Sequence, residues 1–270
     1  MIRKYKFLIL RRIVQIGMFV LFAGANIYGW NLLKGNLSSS LILDTIPLAD
    51  PYAILQMFCA GGILGLDAML GAFIVLLFYG LVGGRAFCSW VCPLNMVTDL
   101  ANYLRRTLRL NVHKYLHLKR SFRYWILFLS LVVSFVLGYG AFEMISPIGI
   151  LSRGLVFGFG FGIFVIIAIF LFDLFIHNHG WCGYVCPLGA FYSLVGQKSL
   201  IRVSYEHEKC TRCMKCKEIC PEHNVLSIVT KKSGFIAGKE CTNCGRCVEV
   251  CDDDALNFSF RKIGESNVKN

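Results

Sequence analysis

Cysteine thiolates are soft, electron-rich ligands, and all but one of the 13 cysteines of this chain fall into regularly spaced groups. KCTRCMKCKEICP (209–221) sets Cys210, Cys213, Cys216 and Cys220 in the pattern C-x2-C-x2-C-x3-C-P. ECTNCGRCVEVC repeats the spacing with Cys241, Cys244, Cys247 and Cys251. This is the bacterial spacing for a [4Fe–4S] cluster, in which three thiolates on one tight loop hold three corners of the cube. The fourth arrives from elsewhere, and in two-cluster ferredoxins it comes from the other motif. Cys210, Cys213, Cys216 and Cys251 then form one ligand set, and Cys241, Cys244, Cys247 and Cys220 the other. Structural zinc also takes thiolate quartets, but usually as two separated C-x2-C pairs. The second motif ends Cys251-Asp252 without the proline, which changes the local turn and leaves the ligands intact.

A second pattern lies upstream. FCSWVCPLNMVTDL (87–100) and WCGYVCPLGAFYSL (181–194) each carry C-x3-C-P after a long apolar run. Spacing of four puts both thiols on one face if the turn is helical. Cys88, Cys92, Cys182 and Cys186 admit three readings: a shared metal or iron–sulfur site, a thiol relay, or buried structural turns. The relay lacks the C-x-x-C spacing of redox hairpins, while buried free cysteine is common. Cys59 stands alone and reads as a packing residue.

The elements that position these thiols follow from composition. Hydrophobic residues make up 56% of the chain and charged residues 16%, against about 25% charged in a soluble domain. Most acidic groups lie in the last 70 or so residues, which places a domain boundary near Gln197. Residues 1–197 read as a membrane domain and 198–270 as a soluble one. Four uncharged segments approach the roughly 20 apolar residues that a spanning helix needs: 13–33, 68–84, 124–142 and 154–172. A fifth, Pro51–Leu66, is short and broken by Gly61-Gly62. With four spans and the N-terminus inside, all but Lys34 and Arg153 of the 28 Lys and Arg fall on the inner side, a strong positive-inside bias. If Pro51–Leu66 also spanned, the basic stretch from Arg85 to Arg123 would lie outside, so the segment reads as interfacial or re-entrant on the outer face. Arg11-Arg12 ahead of an apolar run and Ala-Gly-Ala at 23–25 would also suit a cleaved signal, but the run is longer than a signal core.

The expected fold class is therefore an α-helical polytopic membrane domain of four transmembrane helices with a rough internal duplication. A small α+β two-cluster ferredoxin domain follows it. The net charge of +12 follows the inner membrane face, where anionic lipid accounts for it, so no nucleic-acid partner is expected. Disulfides are less expected still than zinc, because the positive-inside bias places these thiols on the reducing side of the membrane.

CSWVCPL, CGYVCPLGAFYSLVG, both four-cysteine motifs and ADPYAILQ ahead of the second apolar segment together resemble the NapH/MauN family of ferredoxin-like membrane proteins. The likeness runs over nearly the whole chain. It implies a quinol dehydrogenase component in the bacterial inner membrane, with N-terminus and ferredoxin domain cytoplasmic. Its electrons would pass through a partner iron–sulfur protein of NapG type to a periplasmic nitrate reductase system. Quinol oxidation releases protons, so a titratable group near the membrane surface is wanted. Asp50 and Asp67, which flank Pro51–Leu66, and Glu143 at the outer end of the third segment are the candidates. The rival reading is an assembly or redox-sensing protein whose clusters maintain a respiratory metalloenzyme.

Overall fold

The computed structural model describes residues 5–109, 119–158, 160–236 and 238–261. Contacts divide the chain into two compact units. One is drawn from Met1–Val14, Phe78–Val91 and Tyr192–Asn270, the other from Gln15–Leu77 and Cys92–Phe191. The first is thus broader than the expected tail of 198–270, because the N-terminal segment and Phe78–Val91, with Cys88 of the first Cys-Pro turn, belong to it.

The apolar unit begins within α1 (Lys6–Tyr28). A small antiparallel sheet follows, β1 (Leu33–Gly35), β2 (Ser39–Ile42) and β3 (Ile46–Ala49), in the order β1-β2-β3. Its last strand leads into α2 (Pro51–Cys59). Asp50 caps α2 by accepting the Tyr52 N–H at 3.1 Å, and Pro51 occupies the first turn, where its missing N–H costs nothing. The expected outer segment thus begins as a short helix whose Pro51, Tyr52 and Gln56 are buried. The Tyr52 hydroxyl lies 2.5 Å from Ser130 Oγ, and its ring packs on Phe142 and Phe191. Gln56 Oε1 accepts the Phe142 N–H at 3.0 Å. These contacts pack α2 into the interior of its unit.

α3 (Leu66–Val82), α4 (Ala86–Trp90), α5 (Leu94–Thr107), α6 (Phe122–Leu137), α7 (Ala141–Ile145), α8 (Pro147–Phe157) and α9 (Ile163–Leu171) continue the chain. α6 stops short of the expected 124–142 because Gly138 takes a left-handed conformation (φ +71°) at its C-terminus, a common helix stop. The expected helix over 154–172 is two helices. α8 ends at Gly158 (φ +94°), and α9 begins at Ile163 and runs into a π-helical turn, Phe172–Ile176. A positive φ of that size suits glycine alone, so this glycine breaks the helix.

Among the described residues only Lys6–Tyr28 is long and apolar enough to cross a membrane by length and composition; Leu66–Val82, Phe122–Leu137 and Ile163–Ile176 are shorter apolar helices. All four expose large apolar side chains, among them Ile13, Val20, Phe73, Phe128, Phe135 and Phe164. Apolar surface on this scale marks contact with something other than water.

In the other unit, β4 (Ile201–Tyr205) pairs antiparallel with β6 (Leu256–Phe260) and with β5 (Gly234–Phe235), giving the order β5-β4-β6. Two short helices, α11 (Lys215–Ile219) and α12 (Arg246–Glu249), follow the two cysteine loops, after α10 (Pro187–Val195). Val203, Tyr205, Leu226, Ile228, Val229, Ile236 and Leu256 form the core, and Cys216 and Cys247 are buried in it. The N-terminal segment docks here too: the Leu8 N–H donates to Glu249 Oε1 at 2.8 Å and Phe7 packs edge-on against Phe258.

Candidate iron–sulfur site

The two C-terminal loops are built alike. In each, two alternating residues have positive φ just before the short helix: Arg212 and Met214 in the first, Asn243 and Gly245 in the second. Successive left-handed and ordinary residues turn backbone N–H groups toward one concavity, which favours bound anions. The N–H of Arg212 accordingly donates to Cys210 Sγ at 3.3 Å, and that of Asn243 to the thiol of Cys241. The third cysteine of each loop, Cys216 or Cys247, lies inside α11 or α12, and the fourth, Cys220 or Cys251, follows that helix.

The eight thiols gather crosswise. Cys216 has Cys251, Cys213 and Cys210 as its charged neighbours. Cys220 has Cys244 and Cys241, and Cys247 has Cys244, Cys241 and Cys220, with a weaker influence from Cys216. Each loop therefore receives its fourth thiol from beyond the other loop's helix. The two fourth thiols are held differently. Asp253, two residues past Cys251, accepts from both the N–H (3.0 Å) and the hydroxyl (2.7 Å) of Thr211, and Lys215 pairs with Asp252 at 2.7 Å. Both ties are exposed. At the other loop the tie is a buried arginine, Arg85, whose Nη1 donates to Glu222 Oε1 at 2.9 Å and to the Glu240 carbonyl at 2.8 Å.

The donor set suits iron. Burial, followed by the charges of neighbouring cysteines, pushes the Cys220 and Cys247 thiols well up. Burial also raises Cys216 and Cys241, while the charges of Arg202 and Arg85 oppose it at Cys241. Binding polycationic iron removes that penalty by taking the thiolates directly. Among the described residues no three His, Cys, Asp or Glu side chains converge on a single-ion position.

The Cys-Pro turns repeat each other in detail. Cys88 lies in α4 and Cys182 in a π-helical turn, Trp181–Val185, and both are half-buried; Cys92 and Cys186 are buried. The two thiols of a pair do not share one helix. The second cysteine sits at a break: Cys186 is extended (ψ 112°) and Pro187 begins α10, as expected of a residue ahead of proline. Cys88 belongs to one unit and Cys92, Cys182 and Cys186 to the other.

Of the three carboxylates expected to accept protons, Asp50 is the cap of α2, Glu143 accepts from the Ser38 hydroxyl, and Asp67 is exposed in the first turn of α3. The sequence reading missed Asp173. It is fully buried, its Oδ1 accepts the Trp181 N–H at 3.0 Å, and its Oδ2 has no hydrogen-bond partner among the described residues. The visible signal was a lone carboxylate at the very end of an apolar run. Alongside it, Phe164, Ile169, Phe172, Trp181 and Val185 line an open apolar groove of about 490 Å³, and the Trp181 indole N–H is buried without a partner among the described residues.

A family model described as a 4Fe-4S binding domain matches the chain twice, over residues 64–111 and 156–204, and a 4Fe-4S dicluster domain matches residues 202–252. The chain is 44% identical to the ferredoxin-type protein NapH of Escherichia coli K12, over 83% of this chain and 78% of that protein. It is 42% identical to the methylamine utilization ferredoxin-type protein MauN of Methylorubrum extorquens, over 87% and 81% respectively. A putative electron transport protein of E. coli, YccM, is 28% identical over 72% of this chain and 54% of its own length. No solved structure matches.

Proposed function

Because the chain belongs to the NapH/MauN family of ferredoxin-type electron-transfer proteins, we propose that it is a membrane-bound subunit that oxidises quinol for a respiratory reductase system. The observation that carries this reading is the crosswise gathering of eight thiols. Cys210, Cys213, Cys216 and Cys251 would hold one [4Fe–4S] cluster, and Cys241, Cys244, Cys247 and Cys220 a second. When bound, such clusters accept and release single electrons.

The membrane placement is a four-span arrangement with N-terminus, Cys-Pro turns and tail in the cytoplasm. Besides the charge bias, it is supported by the composition of one unit. The start of α1, the end of α3 with its Cys-Pro turn, and the tail all belong to it, as they would if they shared one side of a bilayer. Helices of 16 or 17 residues can span a core of that thickness only near the lower limit of length.

A 4Fe-4S binding domain matches both segments that carry the Cys-Pro turns, which supports metal binding by the cysteines of each turn, Cys88 and Cys92 in the first and Cys182 and Cys186 in the second. The acceptor is proposed to be a partner iron–sulfur protein of NapG type, followed by a periplasmic nitrate reductase system. For the quinol itself, the groove beside Trp181 offers apolar and aromatic walls, an indole donor and a buried carboxylate acceptor nearby. A quinol hydroxyl needs both roles filled. Asp173 therefore joins Asp50, Asp67 and Glu143 as a proton acceptor, and its free oxygen gives it the better claim.

Anaerobic proteoliposomes containing the purified protein and a reduced quinol test the reading, with bleaching of the iron–sulfur absorption as the readout. Bleaching is expected; none, with clusters present and reducible by dithionite, would refute quinol as donor. Asp173→Asn is expected to slow the bleaching at least tenfold while leaving dithionite reduction intact, because the amide keeps the bond to Trp181 but takes up no proton. Asp173→Ala removes that bond as well and is expected to cost about 1–3 kcal/mol of stability, read as a lower melting temperature.

A further inference from the structure

The two cysteine loops are equivalent in backbone but differ in what surrounds them. Thirty-one positions separate Cys210 from Cys241, and the same offset pairs Thr211 with Thr242 and Glu222 with Asp253. Asp253 closes the first group by bonding Thr211. Glu222, its counterpart, is turned to Arg85, which belongs to the turn carrying Cys88. Arg85 also reaches the Glu240 carboxylate at 3.2 Å, and both Arg85 and Glu222 are almost wholly buried, 2% and 5% exposed. Glu240 directly precedes Cys241, and Glu222 lies two residues after Cys220. Arg85 thus joins the two chain segments that supply the second thiol group.

More of the first Cys-Pro turn binds the same loop. Ser89 Oγ donates to the Thr242 carbonyl at 2.7 Å, and Trp90 Nε1 to the Asn243 carbonyl at 3.0 Å. The Asn243 amide returns bonds to the carbonyls of Val82 (3.3 Å) and Ile201 (2.9 Å). These bonds bring the turn onto the Cys241 loop, while the Cys210 loop is tied by exposed groups of its own domain.

We propose that the first Cys-Pro turn is part of the second thiol group's binding site and that Arg85 is the positioning residue that closes this site and sets its reduction potential. The proposal rests on the assignment of two clusters under Proposed function. Reduction adds one negative charge to a cluster, so a buried cation beside its ligands favours the reduced form and a buried anion opposes it. Arg85 and its two carboxylate partners, Glu222 and Glu240, therefore act in opposite directions. Removing Arg85 also takes a paired cation from both Glu222 and Glu240, which adds to its effect. In the Cys210 group the corresponding charges are exposed and screened by solvent.

The test is a redox titration of the full-length protein in detergent, followed by electron paramagnetic resonance, which resolves two clusters as separate signals. Arg85→Gln is expected to lower the potential of one signal, or to lose that signal with about half the iron, while the other stays unchanged. Glu240→Gln is expected to raise the potential of the same signal, and Arg85→Lys to return it close to wild type. If Arg85→Gln does not accumulate, the Glu240→Gln shift decides the matter. Two signals that stay in place, or that move together, with iron content intact, would overturn the proposal. A wild-type protein with fewer than two signals would instead refute the two-cluster assignment.

Discussion

Replacing Cys251 with alanine is expected to produce the same spectroscopic loss as replacing Cys216, and a different one from replacing Cys247. Cys251 follows α12, yet its thiol faces Cys216, whose loop begins at Cys210. By the same geometry the loss in Cys220→Ala should match that in Cys247→Ala. Each variant is expected to lose about four irons per chain relative to wild type, because a cubane deprived of one thiolate is lost as a unit. Electron paramagnetic resonance of the four variants, reduced anaerobically, gives the pairing. Sequential pairing, Cys251 with Cys247 and Cys220 with Cys216, would show that each loop supplies all four of its own ligands and would contradict the crosswise assignment.

Gly84→Ala is the second change with a large expected effect. A Cβ at Gly84 would overlap the Tyr192 carbonyl oxygen and lie 2.7 Å from the Cα of Gly196. Both are backbone atoms, so no side-chain rotation relieves the overlap. Phe87 stacks on the Tyr192 ring at 5.0 Å between centroids, and any separation of the two segments also opens that contact. Overpacking of this kind costs about 3 kcal/mol, a large share of a typical net stability. The variant is expected to fail to accumulate in membranes at 37 °C. Gly17→Ala, where an added methyl meets nothing within 4 Å, is expected to accumulate normally. Normal accumulation and unchanged melting of Gly84→Ala would show that the close approach is not required.

What could be read from the sequence divides by range. The thiol spacing is a local code, since three ligands on one loop can be spaced only as the cube allows, and the structure gathers these residues. The crosswise exchange is an expectation carried over from two-cluster ferredoxins, and the Cys220→Ala and Cys251→Ala variants test it. Arg85 was not legible. It looked like one of many inner-face cations, and only the tertiary fold brings it to Glu222 and Glu240, more than a hundred residues away. Asp50 carried a signal that could have been weighed differently. Aspartate directly before proline at a helix start is a capping pattern, and the structure uses it so. The apolar run at 154–172 gave no sign of its break, because hydropathy does not distinguish a packing glycine from one that takes a positive φ. Asp173 fell just outside that run and escaped notice for that reason alone, although a carboxylate in such a place is costly unless it has a role.

The most direct test of the whole account is the content of iron and acid-labile sulfide in full-length protein purified without oxygen. At least about eight of each per chain, with a brown colour that bleaches on reduction, is the expected result, and a clear excess would add the Cys-Pro turns as ligands. A colourless protein that carries zinc and no sulfide would contradict it.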